Sequence, residues 1–254
     1  MRHRRLAHAL FGLAAGLLLL GLARGRGDGR NRIPLPLRML SSALVWAGAL
    51  LLWRGAARGA QRERAGLAAA GMGLGFLGDL IMAQVIPLPE HVVFGMLSFG
   101  AGHVQYIRAA SIMIHEGHEG YEKADTPDLR ALRALRALRA LRGSTSASLA
   151  LSGVVGAAGW RALAYNPAQP ALINYAALAY ALLLSSMAGI GAALAARDRR
   201  HAPLAVGGAL FFLSDLILAG ELFRSLFFPH IGDTVWLTYL AGQGLIVSAL
   251  GDAA

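Results

Sequence analysis

The sequence predicts an all-α integral membrane protein, a bundle of about eight transmembrane helices arranged as two parallel-repeat halves of four. Three observations lead there. The 254 residues are 56% hydrophobic and 15% charged, too apolar for a soluble domain. The apolar residues gather into eight runs, each near the length of about 20 residues that crosses a hydrocarbon core. One run is also written twice. Residues 68–83 and 204–219 share nine identities in sixteen positions, with FLGDLIMA at 76–83 answering FLSDLILA at 212–219.

The expected spans are 6–23, 37–53, 65–86, 92–114, 147–165, 171–196, 204–222 and 233–251. All nine prolines fall between them, as residues that interrupt helices should. The first span opens on Arg2, Arg4 and Arg5 and ends near Gly21-Leu22-Ala23. That pattern also fits a cleaved signal peptide, but the apolar stretch is long for one, and a retained anchor is the expectation. Many glycines lie within spans, where small residues let helices approach closely. The reading is of one transmembrane domain over 1–254, with a first half of about 1–114 and a second of about 147–254. Between them lies a cytoplasmic loop, 115–146, that begins His115-Glu116-Gly117-His118-Glu119 and then repeats Arg-Ala-Leu from Arg130. A period of three drifts around a 3.6-residue helix, so the repeat forms no amphipathic face.

Arginine placement sets the expected orientation. Arg54, Arg58, Arg62 and Arg64, the 115–146 loop, and Arg197, Arg199 and Arg200 fall on the side of the N-terminus, which puts both termini inside. The connection 24–36, with Arg24, Arg26, Arg30 and Arg32, disagrees with that rule. Formal charge is +10, from 23 Arg and one Lys. The arginines punctuate apolar segments as membrane-protein loops do, so nucleic acid is not expected as a partner. Arg-rich, Lys-poor composition suggests a bacterial source and hence the cytoplasmic membrane. There are no cysteines, which excludes disulfide and thiolate chemistry.

Asp79 and Asp215 occupy matching positions in the repeated segment. A carboxylate within hydrocarbon is costly and is a functional-site hypothesis by default. Spans three and seven run in the same direction, and each aspartate lies seven residues before the expected end of its span, about 10 Å below one membrane face. The following spans echo one another in Ala101-Gly102-His103 and Ala241-Gly242-Gln243. His103, Gln243 and Tyr239 therefore fall in the aspartate layer. Two nearby carboxyl groups in a low-dielectric site do not both ionise easily, so together they offer a general acid and a general base. No nucleophile elbow, Walker loop or His-Glu-x-x-His zinc helix is present. The residues alone point to a dicarboxylate site that is hydrolytic or proton-handling.

Several stretches also carry a resemblance. Gly78-Asp79, Gly95-x3-Phe99-x3-His103-x2-Tyr106, Gly208-Ala209-Leu210-Phe211-x2-Ser214-Asp215-x2-Leu218-Ala219 and Tyr239-x3-Gln243-x-Leu245-Ile246-x-Ser248 look like the lysoplasmalogenase (YhhN-like) membrane proteins. The match runs through spans three, four, seven and eight in order. Leu240 stands where the family often has a second tyrosine, and the Arg-Ala-Leu insert lengthens a loop that is usually short. The resemblance implies a hydrolase that cleaves the vinyl ether bond of lysoplasmalogens to a fatty aldehyde and a glycerophospho-base. Asp79, Asp215 and His103 would be catalytic, with Tyr106, Ser214, Tyr239, Gln243 and Ser248 binding substrate or supporting those three. A lysophospholipid and membrane lipids are the implied partners, and neither a cofactor nor a metal is expected. Three alternatives remain at the level of sequence. One is a metal-dependent hydrolase of another lipid with Asp79, His103 and Asp215 as ligands. The others are a proton-coupled lipid or small-solute carrier and a non-catalytic scaffold.

Overall fold

The computed structural model describes residues 2–27, 29–122 and 145–252, without side chains at 115–122. Eight long helices follow in order: α1 (Arg2–Arg24), α2 (Leu35–Gly55), α3 (Ala60–Met82), α4 (His91–Glu122), α5 (Thr145–Ala164), α6 (Ala171–Arg197), α7 (Ala202–Arg224) and α8 (Ile231–Gly251). The last five residues of α5 form a π-turn, and a 3-10 turn at Arg199–His201 leads into α7. No strand occurs among the described residues. All but α4 are long and apolar enough to cross a membrane. The chain is an integral, multi-pass helical membrane protein.

Helix ends differ from the expected spans where local backbone chemistry decides them. The third span was expected to reach residue 86, yet α3 stops at Met82. Gln84 adopts a left-handed conformation, φ 55°, and its N–H bonds to the carbonyl of Ile81, while the Val85 N–H reaches back to Leu80. This closing turn satisfies the final carbonyls and ends the helix inside the apolar run. Asp79 thus sits three residues from the end of α3, whereas Asp215 lies nine from the end of α7. At the other extreme α4 continues to Glu122 instead of ending at 114. Loss of hydrophobicity does not stop a helix, and the first proline downstream is Pro127. The Arg-Ala-Leu repeat lies outside the described residues.

Neighbours in sequence pack together at α1–α2, α2–α3, α3–α4, α6–α7 and α7–α8, and the bundle is closed by α3 against α8, α4 against α6, and α2 against α8. The α4–α6 contact becomes the α8–α2 contact when each helix is exchanged for the one four places away. Glycine contacts obey the same exchange. A Cβ on Gly102 of α4 would stand 2.8 Å from the Gly71 carbonyl oxygen of α3. One on Gly242 of α8 would stand 2.8 Å from the Gly207 carbonyl oxygen of α7. Gly71 and Gly207 are identical positions of the repeated segment, and Gly102 and Gly242 occupy the echoed Ala-Gly pairs. Close backbone approach at small residues is the usual source of helix association in lipid.

This close approach makes a prediction. Gly242→Val puts a branched side chain into the α7 backbone, whereas Gly244 has nothing within 4 Å of its missing Cβ. Overpacking of about 1–3 kcal/mol should lower the melting temperature of Gly242→Val in detergent by roughly 2–12 °C. Gly244→Ala should melt with the wild type. Equal melting of all three proteins would remove the crossing from the account of stability.

Candidate active site

Asp79 projects from α3 into the bundle, 4% exposed. Its Oδ2 accepts two hydrogen bonds, one from the hydroxyl of Ser42 on α2 and one from Tyr239 on α8 at 2.9 Å. Tyr239 is in turn held by Gln243, whose Nε2 donates to its hydroxyl at 3.3 Å. The Gln243 Oε1 accepts from Tyr106 of α4 at 2.7 Å. A buried chain of hydroxyl and amide groups therefore runs Tyr106, Gln243, Tyr239, Asp79, and it satisfies each polar group in turn. Glycine makes room for it, since a Cβ on Gly75 would meet Gln243 Nε2 at 2.7 Å.

Asp215 has simpler surroundings. Its Oδ2 accepts from the Tyr180 hydroxyl of α6 at 2.5 Å. Ser214, fully buried, donates to the Phe211 carbonyl at 2.8 Å and lies 3.3 Å from Asp215 Oδ1. Each aspartate thus takes a hydroxyl from the preceding span, Ser42 on α2 and Tyr180 on α6, 37 and 35 residues upstream. Neither of these two residues was singled out from sequence. Their nearly equal offsets from the two aspartates were the available signal, but α2 also carries Ser41 and α6 also carries Tyr175, Ser185 and Ser186.

The two carboxyl groups line one cleft, together with Phe99, Ser214, Trp236 and Tyr239. Its mouth is polar and carries Arg30, Asn31, Arg38, Gln84 and Glu221. A second, smaller cavity meets it at Asp215, Phe99, Met82 and Leu218 and is otherwise walled mainly by apolar side chains of α4, α6 and α7. The site is a polar vestibule leading past two carboxyl groups into an apolar chamber.

Not every expected residue joins it. His103 is buried on α4, but its ring meets the edges of Phe211, at 4.2 Å between centroids, and Tyr106 at 5.6 Å. Neither ring nitrogen has a hydrogen-bond partner among the described residues. Equal depth in the membrane brought it to the right layer without turning it to the carboxyl groups. Ser248 is nine residues from Tyr239, roughly 13 Å along α8. There its hydroxyl contacts Asp252 and His8, so the structure does not bring it to the cleft. Among the described residues no three His, Asp, Glu or Cys side chains are grouped as metal ligands, and the set Asp79, His103 and Asp215 is not gathered.

A family model described as the YhhN family matches residues 36–250. The chain belongs to the YhhN family. This is the family of lysoplasmalogenases, so membership implies a hydrolase role in general. No curated protein and no solved structure matches the chain.

In this YhhN-family chain the arginines of the 24–36 connection shape the vestibule. Asp233, 1% exposed and in the first turn of α8, accepts the backbone N–H of Arg32 at 2.7 Å and of Ile33 at 2.9 Å. The His230 and Gly232 N–H groups bond to the carbonyls of Gly29 and Arg30. Arg30 then pairs with Glu221 of α7, and Arg38 lies over the Trp236 ring at 5.6 Å. A negative side chain at a helix N-terminus is favourable; here it also anchors the strip of chain that rims the cleft. Asp233→Ala strips an acceptor from two backbone donors, a loss of about 2–4 kcal/mol. Trypsin should then cut faster at Arg24–Arg32, read as the rate of appearance of the truncated chain. An unchanged rate would show that Asp233 does not hold this segment.

Proposed function

We propose that this protein is a membrane hydrolase that cleaves the vinyl ether bond of a lysoplasmalogen, releasing a fatty aldehyde and a glycerophospho-base. The observation that carries the reading is a pair of intramembrane carboxyl groups on one cleft, polar at its mouth and apolar beyond Asp215. A single-chain lipid with a phosphate headgroup has that profile. Family membership supports the same chemistry. The mouth carries Arg38 and Arg30, the latter paired with Glu221, cationic groups that suit a phosphate, and the apolar chamber suits the alkenyl chain.

Chemically, one aspartic acid protonates the β-carbon of the vinyl ether, which leaves an oxocarbenium ion across the α-carbon and the ether oxygen. The other aspartate, ionised, stabilises that cation and takes a proton from the water that attacks the α-carbon. The resulting hemiacetal collapses as its hydroxyl proton is lost and the glycerol oxygen gains one, so one water is consumed per aldehyde and alcohol formed. Tyr239 and Tyr180 hold the two carboxyl groups in position, while Gln243 and Tyr106 hold Tyr239. His103 acts through packing on Phe211 and Tyr106. The two four-helix halves each contribute one aspartate with its hydroxyl partner. The substrate is a lysophospholipid of the surrounding membrane, with a bacterial cytoplasmic membrane as the setting and both termini inside.

Asp79→Asn and Asp215→Asn should each lower aldehyde release from lysoplasmenylethanolamine by about 10²-fold or more, with unchanged elution and melting in detergent. Tyr180→Phe should retain a larger share, since it removes a hydrogen bond and leaves the carboxyl group. Chelator should not alter the rate. A folded Asp variant at near-normal rate would overturn the two-carboxyl mechanism, and loss on chelation restored by a divalent metal would replace it with metal-assisted hydrolysis.

A further inference from the structure

Between α4 and α6 runs a groove outside the cleft and chamber. Its walls are Leu97, Gly100 and Ala101 on one side and Leu172, Ala176 and Ala179 on the other. The groove exists because these helices meet with small residues. A Cβ on Gly100 would lie 3.7 Å from both Leu183 and Tyr180, in ordinary contact, and nothing larger fills the space. Leu97 is 63% exposed and Leu172 80%, which in a membrane-spanning bundle means facing lipid. Glu90 and Gln169 stand at its polar end, where the two helices begin. From Glu90 to Gly100 is ten residues, about 15 Å of helix, or half of a hydrocarbon core about 30 Å thick. The groove is as deep as one leaflet.

Its inner wall is shared with the active site. Val92, Met96, Tyr180, Leu222 and Phe223 line both the groove and the apolar chamber. The chamber in turn meets the cleft at Asp215. Tyr180 is the polar member of that shared wall, and its hydroxyl bonds directly to Asp215 at 2.5 Å. A chain lying in the groove and one lying in the chamber are separated by this ring.

We propose that the substrate's hydrocarbon chain reaches Asp215 sideways, from the bilayer, between α4 and α6, with Tyr180 at the threshold. The leaflet that supplies it is the one next to the 83–90 and 166–170 connections, on the same end as the polar mouth. The occupant is one alkyl or alkenyl chain of a single-chain lipid, held in a slot one leaflet deep that shares a wall with the chamber. The headgroup remains at the polar end while the chain slides between the helices, so no charged group crosses the hydrocarbon. Passage of the chain moves the residue that holds Asp215, which couples filling of the chamber to the carboxyl group. The cleaved bond rests on the hydrolase reading; the route does not.

Two measurements separate them. A lysophospholipid with a diazirine midway along its chain, photolysed in vesicles, should label 92–101 of α4 and 172–183 of α6. Ala176→Trp and Ala179→Trp, both at exposed positions, should reduce that label. In turnover, the same variants should lower the ratio of long-chain to short-chain vinyl ether hydrolysis by about tenfold or more. Leu19→Trp, on the exposed face of α1, should leave the ratio unchanged. Label confined to other helix faces, or a ratio unmoved by both groove variants, would overturn the route. So would a groove protected by a second copy of the chain, seen as absent label in wild type and a lower particle mass for Ala176→Trp. Wild-type protein that releases no aldehyde from any vinyl ether would defeat the hydrolase reading, and the label would still decide the route.

Discussion

An aspartate buried in a membrane bundle must be given hydrogen-bond partners, and satisfying Asp79 organises four helices. An unpaired polar group in such surroundings costs several kcal/mol. Ser42 brings α2 to it and Tyr239 brings α8. Tyr239 needs Gln243, and Gln243 binds Tyr106 of α4. The packing of α8 against α3 and α2 is thus tied to a polar chain, with the glycine crossings at Gly71 and Gly207 bringing the backbones near enough for it to close.

The second aspartate is held differently. Asp215 faces the junction of chamber and cleft with Tyr180 as its main partner, whereas Asp79 lies at the end of a buried relay. Two like groups can take different parts in a reaction only if their surroundings differ. The duplicated segment supplies the likeness, and the difference comes from residues the duplication does not repeat. Position 78 is Gly beside Phe99, while its counterpart 214 is Ser beside Asp215.

Much of the fold was readable because membrane helices advertise themselves by length, apolarity and proline punctuation. The family, too, was legible from its motifs, and the aspartate pair stood out through the repeat. Side-chain direction was not legible. Depth along a helix is a one-dimensional coordinate, so His103 and Ser248 matched motifs while one turned to Phe211 and the other lay near the far end of α8. Ser42 and Tyr180 escaped notice because each is one of several hydroxyls in its span, and only the partner tells it from the others. The arginines of the 24–36 connection looked like an exception to the charge rule. Arg30 is paired with Glu221, and the backbone of Arg32 is held by Asp233, acids more than 180 residues away whose role no local pattern announces.

The central claim is that a carboxylic acid protonates carbon and water attacks the adjacent carbon. Mass spectrometry of the aldehyde formed in deuterium oxide tests this directly. The account predicts one solvent deuterium on the carbon next to the carbonyl, and no solvent oxygen in the released glycerol hydroxyl when the water is labelled with oxygen-18. An aldehyde without that deuterium, or a glycerol oxygen drawn from water, would contradict it.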